Sequence, residues 1–328
     1  MTDKKVINWG ILSTARINRA VIPPIKEFPY SHLYAIASRS EEKARAYATE
    51  HGFEKAYGSY QALLDDPAVD AIYISLPNGL HYEWMVKALD AGKHILCEKS
   101  ITTRLDEVID IKERAEEKNL LVMEGFMYRY HAFFQKILEY AHSDRIGEIQ
   151  NVYVSRCARQ SKGDIRLQPG LGPGVMGDVG CYCLNFSRTI MGAEPQLWDS
   201  RVRYDDRNID MEVAATLVFE EMKSGQFFCS FTTNGSFASI IGDKGRLNAV
   251  EPFWVGVGER DFVYIPDGSR EPEIITVRAD KTGHALEIED FTLAILENRR
   301  PYLSLQDSIG NLRVLQDIVE NGTPMLKR

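Results

Sequence analysis

Residues 6–18 read VINWGILSTARIN, an apolar run that ends in small and polar residues just before a helical pattern. The run over residues 6–13 is typical of a buried strand, and the turn after it leads into a helix N-terminus. A dinucleotide diphosphate binds at such a turn, because helix N-terminal amides and the helix dipole favour an anion. The glycines of the usual fingerprint would fall on Ser13, Ala15 and Asn18, so all three are replaced. The loop alone is therefore equally compatible with an ordinary tight strand–helix turn.

Strands and helices alternate through the rest of the first third of the chain. Apolar runs predict further strands, and the segments between them predict helices: strands over residues 33–38, 71–76, 94–98 and 120–124, helices over 41–51, 81–91 and 105–118. Pro23-Pro24 should break or restart the first helix. Repeated βα units with near-continuous apolar strands indicate a parallel sheet covered on both faces. We therefore predict an α/β, doubly wound Rossmann domain over residues 1–125.

The pattern changes after residue 125. Helices are predicted near 133–143, 175–191, 285–298 and 305–320, with a Gly- and Pro-rich loop over 159–174. Short alternating strands are predicted over 149–156, 198–204, 211–219, 226–233, 239–241 and 247–250, and Asp243-Lys244-Gly245 has hairpin-turn chemistry. We expect an α+β domain over residues 126–328, with an open, mostly antiparallel sheet for substrate binding and oligomerisation. Its C-terminal helix is expected to pack back on the first domain.

Composition narrows the classes of partner. The 328 residues carry a net charge of −8, which argues against nucleic acid or anionic membrane as a main partner. With no signal-peptide pattern and no long uncharged apolar stretch, we expect a cytoplasmic protein. The five cysteines are odd in number and lie in apolar segments, which favours reduced thiols. Cys181 and Cys183 lack a second pair with ligand spacing, so we predict no metal site.

The end of the second predicted strand bears on the cofactor. Folds that bind NAD place a carboxylate there for the ribose 2′-hydroxyl, whereas this chain has Ser38 and Arg39. A serine hydroxyl and a guanidinium fork are donors suited to a 2′-phosphate. The pattern favours NADP over NAD, with a solvated surface charge as the alternative interpretation of Arg39.

Four stretches make the chain resemble the glucose–fructose oxidoreductase / inositol dehydrogenase (Gfo/Idh/MocA) family. They are Trp9–Ile17, Pro77-Asn78-Gly79-Leu80-His81, Cys97-Glu98-Lys99 and Gly177-Asp178-Val179-Gly180-Cys181-Tyr182, in the family's order and spacing. The family usually reads Glu-Lys-Pro where this chain has Ser100 after Lys99. Tyr182, where another branch has histidine, is similar to the branch of xylose dehydrogenases, dihydrodiol dehydrogenases and ketosugar reductases. The resemblance implies an NAD(P)-dependent dehydrogenase or reductase that acts on CH–OH groups.

Three titratable residues carry the expected chemistry. Hydride transfer needs a group that takes or gives the hydroxyl proton. Asp178 and Tyr182 are four residues apart on a predicted helix and share a face, and Lys99 ends a strand that should converge on the cofactor. A neighbouring ammonium lowers the pKa of a phenol. We expect Tyr182 to exchange the proton, Lys99 to tune it and bind the substrate oxygen, and Asp178 to orient a hydroxyl or Lys99. Which of Lys99 and Tyr182 transfers the proton stays open, and a surface lysine with a core tyrosine is the alternative.

The remaining expected contacts are more dispersed. The cofactor-binding residues expected from the loop, the second strand and the resemblance are Ser13, Thr14, Ala15, Arg16, Ile17, Ser38, Arg39, Leu76, Asn78, His81, Glu98 and Lys99. Tyr128 and Arg129 follow the fifth strand, where substrate or cofactor could be met. Arg159, Lys162 and Arg166 lie on the long loop, as contacts to a charged substrate or as solvated charges. His81 is expected to support the nicotinamide-side loop.

The leading hypothesis is therefore an NADP-dependent oxidoreductase of an aldose, ketosugar or related polyol. A trans-dihydrodiol dehydrogenase is the first alternative, and a non-catalytic NADP-binding regulator is the second. The alternating strands over 211–219 and 226–233 would leave an apolar sheet face uncovered, so we expect a homodimer or tetramer through this sheet.

Overall fold

The computed structural model describes residues 5–161, 163–269 and 271–325, and these form two compact units. The first unit contains the chain up to Met127 together with His284–Ile309, and the second unit contains Tyr128–Gly283 and the chain from Gly310. Each unit is built around its own sheet.

The sheet of the first unit is parallel throughout. Its strands are β1 (Ile7–Leu12), β2 (Ser31–Ala37), β3 (Lys55–Tyr57), β4 (Ala71–Ile74), β5 (His94–Glu98) and β6 (Val122–Gly125). They lie in the order β3-β2-β1-β4-β5-β6, so the order reverses between β1 and β4. A ligand of a doubly wound sheet binds at this reversal, beyond the carboxyl ends of the strands. The predicted Rossmann-type sheet is confirmed.

The helices differ in burial: most bury one face, whereas the helix over Cys181–Met191 is buried on nearly all sides. They are α1 (Asn18–Glu27), α2 (Glu41–His51), α3 (Tyr60–Leu64), α4 (His81–Asp90), α5 (Leu105–Glu117), α6 (Ala132–Ala141), α7 (Cys181–Met191), α8 (Gly283–Glu297) and α9 (Leu305–Asn321). α2 has the usual capping residues at both ends. The Ser40 hydroxyl accepts the Lys43 N–H at the N-terminus, and Gly52 ends the helix at a φ of 74°. Among the described residues, no helix has both the length and the apolar character needed to cross a bilayer.

The prediction that Pro23-Pro24 interrupts the first helix was wrong. Both prolines lie inside α1, which continues to Glu27. Val21, Ile22, Pro24 and Ile25 are buried, so packing of the apolar face outweighs the two lost helical hydrogen bonds.

The second unit is built on a large, mostly antiparallel sheet. Its strands are β7 (Ile149–Cys157), β8 (Leu197–Tyr204), β9 (Asp210–Val218), β10 (Ser224–Ser230), β11 (Gly235–Gly242), β12 (Gly245–Val250), β13 (Gly258–Pro266), β14 (Glu273–Ala279) and β15 (Thr323–Pro324). The order is β14-β13-β12-β11-β7-β10-β9-β8-β15. The expected antiparallel character holds except that β10 pairs with β7, and β15 with β8, in parallel.

One face of this sheet is covered by helix. Residues 176–180 form a π-helical turn that continues directly into α7, and α7 packs on β7 and β10. The covered face carries buried Val152, Phe227 and Ile240. Helical cover on that side positions the segment with Asp178 and Tyr182 against the centre of the sheet.

Candidate functional site

The loop after β1 is held by side chains where glycines are usual. Ser13 has a φ of 93°, a region that glycine enters without steric cost. Its amide donates to the Ala37 carbonyl at 3.0 Å, and its carbonyl accepts the Asn18 side-chain amide at 2.7 Å. The Ser75 hydroxyl donates to the Asn18 side-chain oxygen at 2.7 Å. This network compensates for the missing glycines and fixes the turn.

The same loop presents donors to an anion. Within the described part of the chain, the backbone N–H groups of Thr14, Ala15, Arg16 and Ile17 donate to no protein acceptor. The four groups precede α1 at the carboxyl end of β1, beside the point where the strand order reverses. The donor set therefore fits the diphosphate of a dinucleotide.

Ser38 and Arg39 follow β2. Ser38 is buried, and its hydroxyl oxygen accepts the Ser40 N–H at 3.3 Å, which leaves the hydroxyl proton available to a ligand. Arg39 is exposed and forms no ion pair with any described residue. Burial raises the pKa of the Tyr60 phenol, and the positive charge of Arg39 opposes that rise. The Arg39 guanidinium therefore lies near Tyr60, and no protein carboxylate among the described residues compensates its charge.

The segment between β4 and α4 is tied to the residue after Lys99. The Asn78 side-chain amide donates to the Ser100 carbonyl at 2.9 Å. The His81 imidazole lies between two carbonyl oxygens, that of Leu76 at 2.8 Å and that of Ser100 at 3.0 Å. Burial lowers the pKa of His81, and the charge of Lys99 adds to that effect. The fully buried imidazole thus links the ends of β4 and β5. The Lys99–Ser100 peptide bond is cis.

Glu98, which is partly exposed, lies near the buried Glu287, and sequence reasoning missed this pair of carboxyl groups. The Tyr73 phenol donates to the Glu98 carboxylate at 2.5 Å. Glu287 on α8 is 2% exposed, and one of its carboxyl oxygens has no hydrogen-bond partner. Burial raises the pKa of Glu287 well above its ordinary value, and the negative charge of Glu98 raises it further. Glu287 therefore keeps a proton that an exposed glutamate would have lost.

In the second unit, Asp178 is fixed by an ion pair. The Arg166 side chain donates to Asp178 at 2.8 Å and lies 3.1 Å from Asp164. Burial disfavours the charged form of Arg166, but the two carboxylates outweigh it and raise the pKa. Asp178 is only 7% exposed, so its carboxylate is oriented and shielded from bulk water. Arg166, expected as a substrate contact, is thus engaged by two protein carboxylates.

Tyr182 is buried among rings and beneath a cation. Its ring centroid lies 5.7 Å from that of Tyr128 and 5.4 Å from that of Phe253. The Arg156 guanidinium carbon lies 4.1 Å from the Tyr182 ring centroid. Sequence reasoning missed Arg156, because a charged residue near the end of an alternating strand usually faces solvent.

Asn185, one turn after Tyr182, accepts hydrogen bonds from Tyr128 and Arg129, the two residues after β6 that were expected to contact substrate or cofactor. The Tyr128 phenol donates to the Asn185 side-chain oxygen at 2.6 Å, and Arg129 donates to the same oxygen at 3.3 Å. Tyr128 is fully buried, so its ring packs against Tyr182 and is not exposed to solvent.

On the long loop, Arg159 donates to the Thr232 carbonyl at 3.1 Å. Lys162 lies outside the described residues. None of the five cysteines, all of which lie in the described part of the chain, forms a disulfide bond.

Two family models match the chain. The model of an oxidoreductase family with an NAD-binding Rossmann fold matches residues 7–126, and the GFO/IDH/MocA C-terminal domain matches residues 134–248. Together they span most of both sheets of the protein.

Named proteins resemble the chain along nearly its full length. It is 33% identical over 319 residues to "D-xylose 1-dehydrogenase (NADP(+)) 2" of Haloferax volcanii, covering 95% of this chain and 96% of that protein. It is 27% identical to the trans-1,2-dihydrobenzene-1,2-diol dehydrogenase of Xenopus tropicalis, over 92% of this chain and 93% of that protein. The crystal structure of KijD10, a 3-ketoreductase from Actinomadura kijaniata in complex with NADP and TDP-benzene, superposes with a TM-score of 0.93. Its identity is 26%, over 99% of this chain and all of that one.

Proposed function

Because the chain belongs to the GFO/IDH/MocA family of oxidoreductases, we propose that it is an NADP-dependent dehydrogenase or reductase of a sugar-like alcohol or carbonyl. When bound, the nicotinamide supplies or accepts the hydride. The observation that carries the proposal is the arrangement at the start of α7. Tyr182 is buried with the Arg156 guanidinium 4.1 Å from its ring centroid, and Asp178, one turn earlier, is buried and paired with Arg166.

The donors after β1 and β2 support NADP as the cofactor. Free amides over Thr14–Ile17 suit the diphosphate, and the uncompensated Arg39 with the Ser38 hydroxyl suits a 2′-phosphate. The name of the Haloferax relative and the ligand of the ketoreductase structure agree with this choice.

Tyr182 is proposed as the group that exchanges the hydroxyl proton with substrate. Lys99 tunes the phenol and binds the substrate oxygen, and Asp178 holds a neighbouring substrate hydroxyl. Arg166 supports this role because its ion pair holds the Asp178 carboxylate in one orientation. A carboxylate acceptor one turn before Tyr182 favours a sugar hydroxyl over an apolar ring.

The proposal is tested by steady-state kinetics with NADP and NADPH on a panel of aldoses, ketosugars and trans-dihydrodiols. Lys99→Ala and Tyr182→Phe should each lower kcat at least ~100-fold, the usual range for acid–base groups. Matched controls are Lys87→Ala, which breaks an exposed ion pair on α4, and Tyr264→Phe, which loses a 2.9 Å hydrogen bond to the Arg145 carbonyl. Both controls should keep turnover near that of the wild type.

Three outcomes contradict the proposal in whole or in part. Wild-type turnover in both Lys99→Ala and Tyr182→Phe removes the acid–base mechanism. Tight NADPH binding without turnover on any substrate of the panel indicates a regulator instead of an enzyme. Turnover confined to dihydrodiols would assign the apolar-diol activity of the Xenopus relative.

A further inference from the structure

Arg156 is a cation rigidly placed against the Tyr182 ring. It lies near the end of β7, which is paired on both sides by β10 and β11, so its Cα position is fixed by two strand neighbours. Its guanidinium carbon is 4.1 Å from the Tyr182 ring centroid and 4.9 Å from the Phe253 centroid. Two aromatic faces therefore hold the guanidinium in place.

The charge of Arg156 is not neutralised by the protein. Among residues 5–161, 163–269 and 271–325, no carboxylate forms an ion pair with it, and its Nε is buried without a hydrogen-bond partner. A guanidinium in this setting usually has a carboxylate partner, as Arg166 has in Asp178. The aromatic rings are its main compensation.

A cation over the ring acts on the ionisation of the phenol. A phenolate spreads its negative charge into the ring, so a guanidinium on the ring face stabilises the phenolate more than the phenol. We infer that Arg156 favours the phenolate of Tyr182 through the face of its ring and thereby acts as a positioning residue for proton transfer. Because an arginine stays charged at all physiological pH values, this effect does not titrate away as that of a lysine does.

Other titratable groups around this helix are paired, protonated or only partly ionised near neutral pH. Asp178, one turn earlier, is paired with Arg166 at 2.8 Å. Burial raises the pKa of the Cys183 thiol, on the same helix, and of the Cys229 thiol on β10, so both are protonated. Burial also raises the pKa of Asp210, at the start of β9, to about 7.

Two further residues near Tyr182, Tyr128 and Arg129, lie in the segment before α6. The Tyr128 phenol donates to Asn185, and Arg129 donates to the same oxygen. The Arg129 guanidinium lies 6.0 Å from the Phe134 ring, whereas that of Arg156 lies directly over Tyr182. The Arg156 guanidinium is thus a cation in direct contact with the Tyr182 ring.

The direct test measures the phenol without substrate. Tyrosinate absorbance is titrated in the apo protein, with each variant compared with the same variant carrying Tyr182→Phe, because the chain has 15 tyrosines. Arg156→Met removes the charge and keeps an unbranched apolar stem, and should raise the pKa of Tyr182 by about one to two pH units. Arg156→Lys keeps the charge without the flat stack and should raise it by less. Arg260→Met, which removes a guanidinium 5.1 Å from the Trp254 ring, is the matched control and should leave the pKa of Tyr182 unchanged.

The catalytic consequence rests on the proposed function. In sugar oxidation the pH profile of kcat/KM should move to higher pH by the same interval as the phenol. Each pH unit by which the phenol pKa rises should cost roughly tenfold in kcat/KM at pH 7. A phenol with a raised pKa but an unmoved rate profile would refute Tyr182 as the proton-transfer group while leaving the Arg156 inference intact. An unchanged phenol pKa in folded Arg156→Met would overturn the inference, and if that variant does not fold, an unchanged pKa in Arg156→Lys together with Arg156→Gln would do so.

Discussion

At the scale of single residues, Arg39 gives the sharpest test of cofactor choice. A hydrogen bond to a charged group contributes about 1.5–3 kcal/mol, which corresponds to roughly 10–100-fold in affinity. Arg39→Gln should therefore raise KM for NADP by roughly 10–100-fold and leave kcat/KM with NAD unchanged. The measurement is initial-rate kinetics with both cofactors at saturating substrate.

Arg45 offers the matched control for Arg39. It is also exposed, but its guanidinium pairs with Glu41 at 2.6 Å on α2. Arg45→Gln should leave the ratio of NADP to NAD efficiency as it is in the wild type. If Arg39→Gln also kept the wild-type ratio of NADP to NAD efficiency, a 2′-phosphate contact at Arg39 would be ruled out. A preference of the wild type for NAD would rule it out as well.

Sequence reasoning reached only part of the residue-scale picture. Sequence motifs with the spacing of the family contain Lys99, Asp178 and Tyr182, so the sequence alone was enough to select these three candidates. Arg156 and Glu287 belong to no motif, and their roles depend on which side chains pack against them. An arginine near a strand end and a glutamate on a helix are ordinary surface patterns until the fold buries them.

At the scale of elements, the start of the helix that carries Asp178 and Tyr182 depends on Asp210. The Asp210 carboxylate accepts the Met176 N–H at 2.7 Å, and Gly174 has a φ of 65° directly against that carboxylate. Any Cβ at Gly174 would overlap Asp210, so a glycine is required there. The side chain thus substitutes for a helix-capping residue from a neighbouring strand.

Asp210 also predicts a dependence of stability on pH. Burial raises its pKa from 3.8 to about 7, and the backbone N–H groups only partly oppose the rise. The folded chain therefore holds a proton that the unfolded chain has lost, between about pH 4 and pH 7. This group's contribution to the free energy of unfolding is greatest below pH 4 and is lost as the pH rises through 7, by at most about 4 kcal/mol.

Chemical unfolding of the wild type and Asp210→Asn at pH 5 and pH 8 measures this effect. The asparagine keeps an acceptor oxygen for the Met176 N–H and cannot ionise, so the loss of stability between the two pH values should be smaller. Asp199→Asn, which changes an exposed carboxylate paired with Arg201, should retain the wild-type pH dependence. Equal pH dependence in wild type and Asp210→Asn would show that Asp210 is ionised throughout.

Element prediction succeeded where local pattern and tertiary packing agree. The predicted ends of three elements lie within one residue of the observed ends: the strands β1 and β5, which are apolar runs, and the helix α2, which is flanked by turn residues. β13 and β14 were missed because charged residues interrupt their alternation, so pairing with neighbouring strands defines them. The π-helical turn at Met176–Gly180 is also set by packing, since Gly180 lies against Met176 and Cys229.

At the scale of the whole molecule, the uncovered face of the second unit's sheet carries an apolar patch. Tyr153, Phe228 and Phe237 are 47%, 39% and 42% exposed, on the adjacent strands β7, β10 and β11. Phe228 and Phe237 both pair with Ser155, so they lie in one row across the three strands, and Tyr153 is two residues from Ser155 on the same face. Contiguous exposed aromatics of this kind mark protein interaction sites.

We therefore expect a homodimer or tetramer through this face, because a second copy would supply the apolar cover that the chain itself does not. Phe228→Glu combined with Phe237→Glu should convert the assembly to monomers in light scattering at micromolar concentration, since charges on the patch would be buried against one another. Val257→Glu, at a residue 60% exposed outside the sheet, should leave the mass unchanged. A monomeric wild type at the same concentration would show that the aromatic row stays exposed to solvent and would contradict the expected assembly. A double variant that still assembles would show that the interface lies on another surface.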